Sequence, residues 1–230
     1  MERRCLCVLL VGMAVGLLLC PVVANAATVQ VAADARTLWA LEHLTAVLNG
    51  IGQGPATGTP GAIELNISQT GAELPESARK PEGYRIIATP ERVRIIGFDT
   101  AGVLYGSLDA ARRIQELGRL LDNLDAAESP AMALRAVTVS LAKAGDYDCA
   151  ITPQAFPFFY DKDMWGRCLN SMAENRFNGI VFENAHPFDY FIAMEKYPEA
   201  QAGLDPAVIQ QNRDLLTWLA AEAGKRNIGL

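Results

Sequence analysis

The sequence predicts two fold classes in series: an α+β accessory domain over residues 27–125, then α/β over residues 134–230, the first two or so units of an incomplete (β/α)8 TIM barrel. Three observations predict this. Tyr84–Ala88 and Arg92–Gly97 are β-prone runs around Thr89-Pro90-Glu91, which is hairpin chemistry. From Leu134 onward, short apolar runs alternate with helical patterns as β-α-β-α-β, the grammar of a parallel sheet with right-handed crossovers. A barrel of this kind needs eight units and about 250 residues. The segment 134–230 supplies about two units, so the chain reads as the N-terminal part of a longer protein. The alternative is a complete two-domain protein with a small open sheet.

Each element follows in order. Arg3-Arg4, an apolar run from Cys5 to Cys20 and Ala24-Asn25-Ala26 form the three regions of a signal peptide, with cleavage expected after Ala26. An uncleaved membrane anchor is the alternative. Thr28–Val31 is a short β-prone stretch. An amphipathic helix follows from about Asp34 to Leu48, with Leu38, Leu41, Leu44 and Leu48 on one arc and Asn49-Gly50 as its stop. Residues 50–61 are a Gly/Pro loop. Ala62–Ile67 alternates as a half-buried strand, and the Asn66-Ile67-Ser68 sequon lies inside it. After the hairpin, Leu104, Leu108, Ala111 and Ile114 line a helix from Thr100 to Leu117, with Gly118 as cap. The order β-α-β-β-β-α with consecutive antiparallel strands suggests a layered α+β domain. Leu120–Ala131 reads as a linker.

In the second part, Leu134–Leu141 is strand-like. A helix over about Lys162–Asn175 places Trp165, Cys168, Leu169 and Met172 on one arc. Gly179–Phe182 is the next strand. Asp205-Pro206 is a helix start. Ile209, Leu216, Leu219 and Ala223 line that helix, Asn227 caps it, and Ile228-Gly229-Leu230 begins a third strand.

Composition excludes several function classes. Hydrophobic residues are 50% and charged residues 20%, a globular balance. A net charge of −6 leaves no electrostatic footprint for nucleic acid or an anionic membrane surface. After cleavage, no segment reaches the ~20 apolar residues of a membrane span, so no stable insertion is expected. Beyond the signal only Cys149, Cys168 and two His remain, too few for a Cys-rich zinc site or a disulfide scaffold. The spacing of Gly50, Gly52 and Gly54 fits neither a dinucleotide fingerprint nor a Walker loop. No cofactor and no metal are therefore expected. Cys149 and Cys168 are either bridged in an oxidising compartment or free, and the position of Cys168 on an apolar arc favours a free thiol. His43, beside Glu42, reads as a surface residue.

Two segments carry a family resemblance. Tyr84–Gln115, with its strand pair and the Gly102-Val-Leu-Tyr105-Gly106 helix, resembles the accessory domain that precedes the barrel in β-N-acetylhexosaminidases and α-glucuronidases. Met164–Phe188, with Met172-Ala173, Arg176-Phe177-Asn178 and His186-Pro187-Phe188, resembles the start of their barrel. The resemblance implies a glycoside hydrolase with a carbohydrate substrate. Arg135 matches the hexosaminidase pattern. Ala136 replaces its Gly, Ser140 replaces its Asp, and Phe182-Glu183-Asn184 stands where that family has a His-rich strand end. The α-glucuronidase-like group, or another relative, is the better match.

Glycosidases of this kind use two carboxyl groups, or one plus a substrate acetamido group. The resemblance places the acidic pair on later strands, so no catalytic residue is assigned within the chain. Candidate substrate-binding residues are Glu183, Asn184 and His186, which follow the second strand at the catalytic end, and Arg135, which could meet a hydroxyl or carboxylate. Loop polar groups without a ligand, and a solvent-facing Arg, are the alternatives. The cluster Phe156, Phe158, Phe159 and Tyr160 is either a sugar-stacking surface or, more in keeping with Phe-rich loops, a packing plug. A non-catalytic carbohydrate-binding or scaffolding protein is the competing function.

Overall fold

The computed structural model describes residues 27–29, 34–52, 62–68, 70–145, 149–184, 188–192, 194–200 and 203–230. The signal segment, most of the Gly/Pro loop and His186 lie outside these residues.

The first sheet has five strands: β1 (Ala27–Val29), β2 (Ala62–Ile67), β3 (Tyr84–Ala88), β4 (Arg92–Gly97) and β5 (Leu124–Glu128), in the order β1-β2-β4-β3-β5. The sheet is mixed: β1, β2 and β4 run parallel, and β3 runs antiparallel to both β4 and β5. The expectation of consecutive antiparallel strands therefore holds only around β3. Helix α1 (Ala35–Gly50) supplies the crossover that lets β1 and β2 run parallel.

Asp34 caps α1 by accepting from Thr37 N at 2.8 Å. Its buried arc is Thr37, Ala40, Leu41, Leu44 and Leu48, whereas Leu38 is 43% exposed. That arc centres between Leu44 and Leu48, and Leu38 lies about 100° round from it. The helix runs through Gly50, and Gly52, with φ 71°, takes the left-handed turn expected of Asn49-Gly50. Helix α2 (Thr100–Leu117) begins at its Asp99 cap and ends at Gly118 with φ 66°, as its sequence signals require. Ile63, Leu65, Ile86, Val93 and Ile95 pack with Leu44, Leu104, Leu108 and Ile114 in one core. Ile96 points to the other face, beneath Leu74 and Ala78.

The stretch read as a linker contains β5. Its sequence, LDAAE, has no β-branched residue, but it pairs with the open edge of β3 from Leu124↔Ala88 to Glu128↔Tyr84. The Arg85–Asp125 ion pair at 2.7 Å holds the pairing from the side. The sheet thus extends past residue 125.

The second unit holds β6 (Ala136–Ser140) and β7 (Gly179–Glu183), parallel, joined by α3 (Lys162–Glu174). A one-turn helix α4 (Phe188–Phe191) precedes α5 (Pro206–Gly224). Asp205 caps α5 with Pro206 at its first turn. Asn227, with φ 59°, turns the chain after it, and Gly229 bridges Gly179 in parallel. Trp165, Leu169, Phe159, Leu215, Leu219 and Ile180 are the centre of a separate core.

One face of this small sheet is packed and the other is not. Val137, Val139, Ile180 and Phe182 belong to the core with the helices. Thr138, Ser140, Val181 and Glu183 are exposed, and register pairs Thr138 with Val181 and Ser140 with Glu183. Parallel sheets are ordinarily covered on both faces.

Candidate functional site

At the C-terminal end of β6 and β7, Ser140 stands opposite Glu183, and Leu141 N donates to Glu183 O at 2.7 Å. Side chains alternate along a strand, so the same pleat that buries Ile180 and Phe182 turns Glu183 to the exposed face. A carboxylate and a hydroxyl side by side accept from, or bridge, vicinal hydroxyls.

Asn184 is differently employed. Its amide donates to Leu141 O at 2.7 Å and to Cys149 O at 3.2 Å, which ties the loop after β6 to the end of β7. It braces the site's rim. Cys149 is buried and is not bridged to Cys168, which is a free thiol that burial pushes above its ordinary value.

Arg135 lies at the other end of the strand pair. It precedes β6, and its guanidinium pairs with Glu82 and donates to Arg176 O and Met132 O, each at 2.5 Å. The structure therefore brings Glu183 and Asn184 together and separates Arg135 from both.

The aromatic cluster is mostly core. Phe159 is fully buried and meets Tyr160, Trp165, Phe182 and Phe191 edge-on at 5.5–6.3 Å between ring centroids. Phe158 is 39% exposed. Tyr160 donates to Asn212 or to Ile151 O, and burial pushes its phenol up to about 12.

Asn212 was not singled out from the sequence. It is fully buried and donates to Ile151 O and Tyr190 O, both at 3.0 Å. It thus ties the loop after β6 and the one-turn helix α4 to α5. Its signal was readable: a polar residue on the stripe that carries Ile209, Leu219 and Ala223. His43 is a second correction. Its side chain is only 24% exposed, stacks on Trp39 at 5.5 Å and lies 4.0 Å from Glu174 of the second unit.

Beside β7 runs an apolar groove of about 640 Å³ between Val181, Phe182, Phe191, Ile192, Leu216 and Leu230. Val181 and Ile192 are 52% and 50% exposed there. Among the described residues, no cluster of His, Cys, Asp or Glu is arranged to hold a metal ion, and no helix is long and apolar enough to cross a membrane.

Comparison with solved structures shows what this arrangement is similar to. A GH138 enzyme targeting pectin rhamnogalacturonan II matches over 88% of this chain and 30% of its own, at 26% identity and a TM-score of 0.77. The fold is glycoside hydrolase-like. A glycoside hydrolase family 20 β-N-acetylglucosaminidase matches over 88% of this chain and 36% of its own (18% identity, TM-score 0.52). CpGH84B matches over 89% and 32% (16% identity, TM-score 0.55). The chain thus spans about a third of the length of these enzymes. No family model and no curated protein matches the sequence.

Proposed function

We propose that the chain is the N-terminal part of an exported glycoside hydrolase that acts on polysaccharide or oligosaccharide side chains. In this reading residues 134–230 open a (β/α)8 barrel, and Ser140 and Glu183 belong to its sugar site. The observation that carries the reading is the exposed face of β6 and β7, where polar residues stand in register at the strand ends, the catalytic end of such barrels. The apolar groove beside β7 suits a following strand and helix. A uronic-acid-bearing substrate, as for α-glucuronidases, fits better than an N-acetylglucosaminide, because Ser140 and Phe182-Glu183-Asn184 depart from the hexosaminidase pattern. The match to a pectin-targeting enzyme supports a plant polysaccharide.

The 230-residue chain alone is expected to be inactive. Cleavage of a uronide, which has no acetamido group to assist, needs two positioned carboxyl groups about 5–10 Å apart, and at the described strand ends only Glu183 is acidic. A lone carboxylate binds sugar without cleaving it, which is the non-catalytic alternative.

The test assays the protein with and without further barrel units. Substrates are aryl glucuronides, N-acetylglucosaminides, uronic-acid-bearing xylo-oligosaccharides and rhamnogalacturonan II oligosaccharides. The extended protein should turn over a uronide, and Glu183→Ala should cost about 0.5–1.5 kcal/mol in kcat/KM, roughly twofold to twelvefold. Turnover by the 230-residue chain, or an unchanged kcat/KM in Glu183→Ala, contradicts the reading.

A further inference from the structure

Ala173 of α3 joins the core of the first sheet, and several of the polar contacts between the two units converge on one side chain. Glu82 sits in the loop before β3, and its side chain is 13% exposed. One oxygen receives Arg135, which precedes β6. The other receives the amides of Asn178 and Asn227, each at 3.1 Å. Asn178 precedes β7, and Asn227 precedes the segment that bridges β7 through Gly229. Three successive parallel starts thus reach a single carboxylate.

The Glu82 loop is itself held hard. Glu82 N donates to the Asp99 carboxylate at 3.1 and 3.3 Å, and Asp99 also caps α2. A Cβ on Gly83 would come within 2.1 Å of Ala78 O, and one on Gly102 within 2.2 Å of Gly83 O, so only glycine lets these backbones touch. The positive-φ non-glycine residues among those described are Glu82 (66°), Arg176 (63°) and Asn227 (59°). All three belong to this junction, and non-glycine residues occupy that region at a cost. Arg176 supplies a second contact beside the first, donating to Tyr84 Oη at 2.5 Å and Glu128 at 2.8 Å.

We propose that Glu82 pins the register of the second unit: the first sheet acts as a template that collects the starts of β6, β7 and the 228–230 segment through one carboxylate. A hydrophobic interface tolerates sliding, whereas three directional bonds to two oxygens do not. Fixing the starts also fixes the far ends, where Ser140 and Glu183 stand in register.

Residue-resolved amide exchange on the full chain tests this. Glu82→Gly removes the carboxylate while easing the left-handed backbone. It should accelerate exchange at Asn178, Ile180 and Gly229 together, by roughly a hundredfold, on the scale of breaking a largely buried ion pair. The amides of Ile86 and Ile95 in the first sheet should not change. Asn227→Gly removes one of the three partners without straining the left-handed backbone and should accelerate only Gly229 and Ile180. An effect of Glu82→Gly confined to one start, or equal across both sheets, overturns the proposal. If Glu82→Gly does not fold, Asn227→Gly decides alone: a selective effect at Gly229 and Ile180 supports it, and no effect there overturns it.

Discussion

In the five-stranded sheet, the inward residues Ile63, Leu65, Ile86, Val93 and Ile95 meet two helices, and Ile96 on the opposite face lies under Leu74 and Ala78. In the two-stranded sheet, Val137, Val139, Ile180 and Phe182 meet helices, while Thr138, Ser140, Val181 and Glu183 remain exposed. Both sheets draw on the same alternation of apolar residues. They differ in whether the second face has a cover. A mixed sheet with α1 and α2 on one side and the 74–78 segment on part of the other accounts for its own apolar surface. The parallel pair covers one face only, and that asymmetry places a carboxylate and a hydroxyl on open ground at the strand ends.

The comparison predicts that the two cores respond separately to damage. Trp165, 2% exposed and donating to Phe159 O at 2.8 Å, is the largest buried side chain of the second core. Trp165→Ala should cost about 3–5 kcal/mol there. The amides of β7 should lose protection while those of Ile86 and Ile95 keep it. Equal loss in both sheets breaks the comparison, because it means one cooperative unit.

Glycines sharpen it. Gly102→Ala forces a Cβ against Gly83 O and should destabilise the first unit by about 1–3 kcal/mol. Gly166 lies inside α3 with nothing within 4 Å of a Cβ, so Gly166→Ala should stabilise the second unit by about 0.4–1 kcal/mol. Thermal melts of both variants check the opposite signs.

The smallest effect is a pH dependence at the contact between α1 and α3. Burial holds the His43 imidazole below its ordinary value, against the raising effect of Glu174. A folded pKa below the unfolded one means that folding disfavours the proton. The associated stability is present above the unfolded value near 6.5 and is lost as pH falls through the folded one. His43→Leu should flatten the stability profile across that window, measured by denaturant midpoints. An unchanged slope contradicts the assignment.

What was legible in the sequence was local. The bounds of β3, β4 and α2 were read correctly because turn and cap chemistry lies beside them, at Thr89-Pro90-Glu91 and Gly118. Asp205-Pro206 marked α5 for the same reason. Long-range pairing was not legible. Strand β5 exists because β3 offers an open edge and Arg85 reaches Asp125, and neither fact shows in LDAAE itself. The parallel pairing of β2 with β4 is likewise set by topology. At the candidate site, the position of Glu183 was legible from strand grammar. The employment of Arg135 was not, because its partner Glu82 is 53 positions away in another unit.

The most direct test separates the regions. Residues 27–131, cut beyond β5, and residues 134–230 are produced as two polypeptides and compared by amide exchange. The account predicts that 27–131 is soluble and keeps slow exchange at Ile86 and Ile95. It predicts that 134–230, with one sheet face uncovered and its Glu82 contacts gone, exchanges fast throughout and aggregates. A soluble 134–230 piece with strongly protected β6 and β7 would contradict it, because the parallel pair would then be a complete domain.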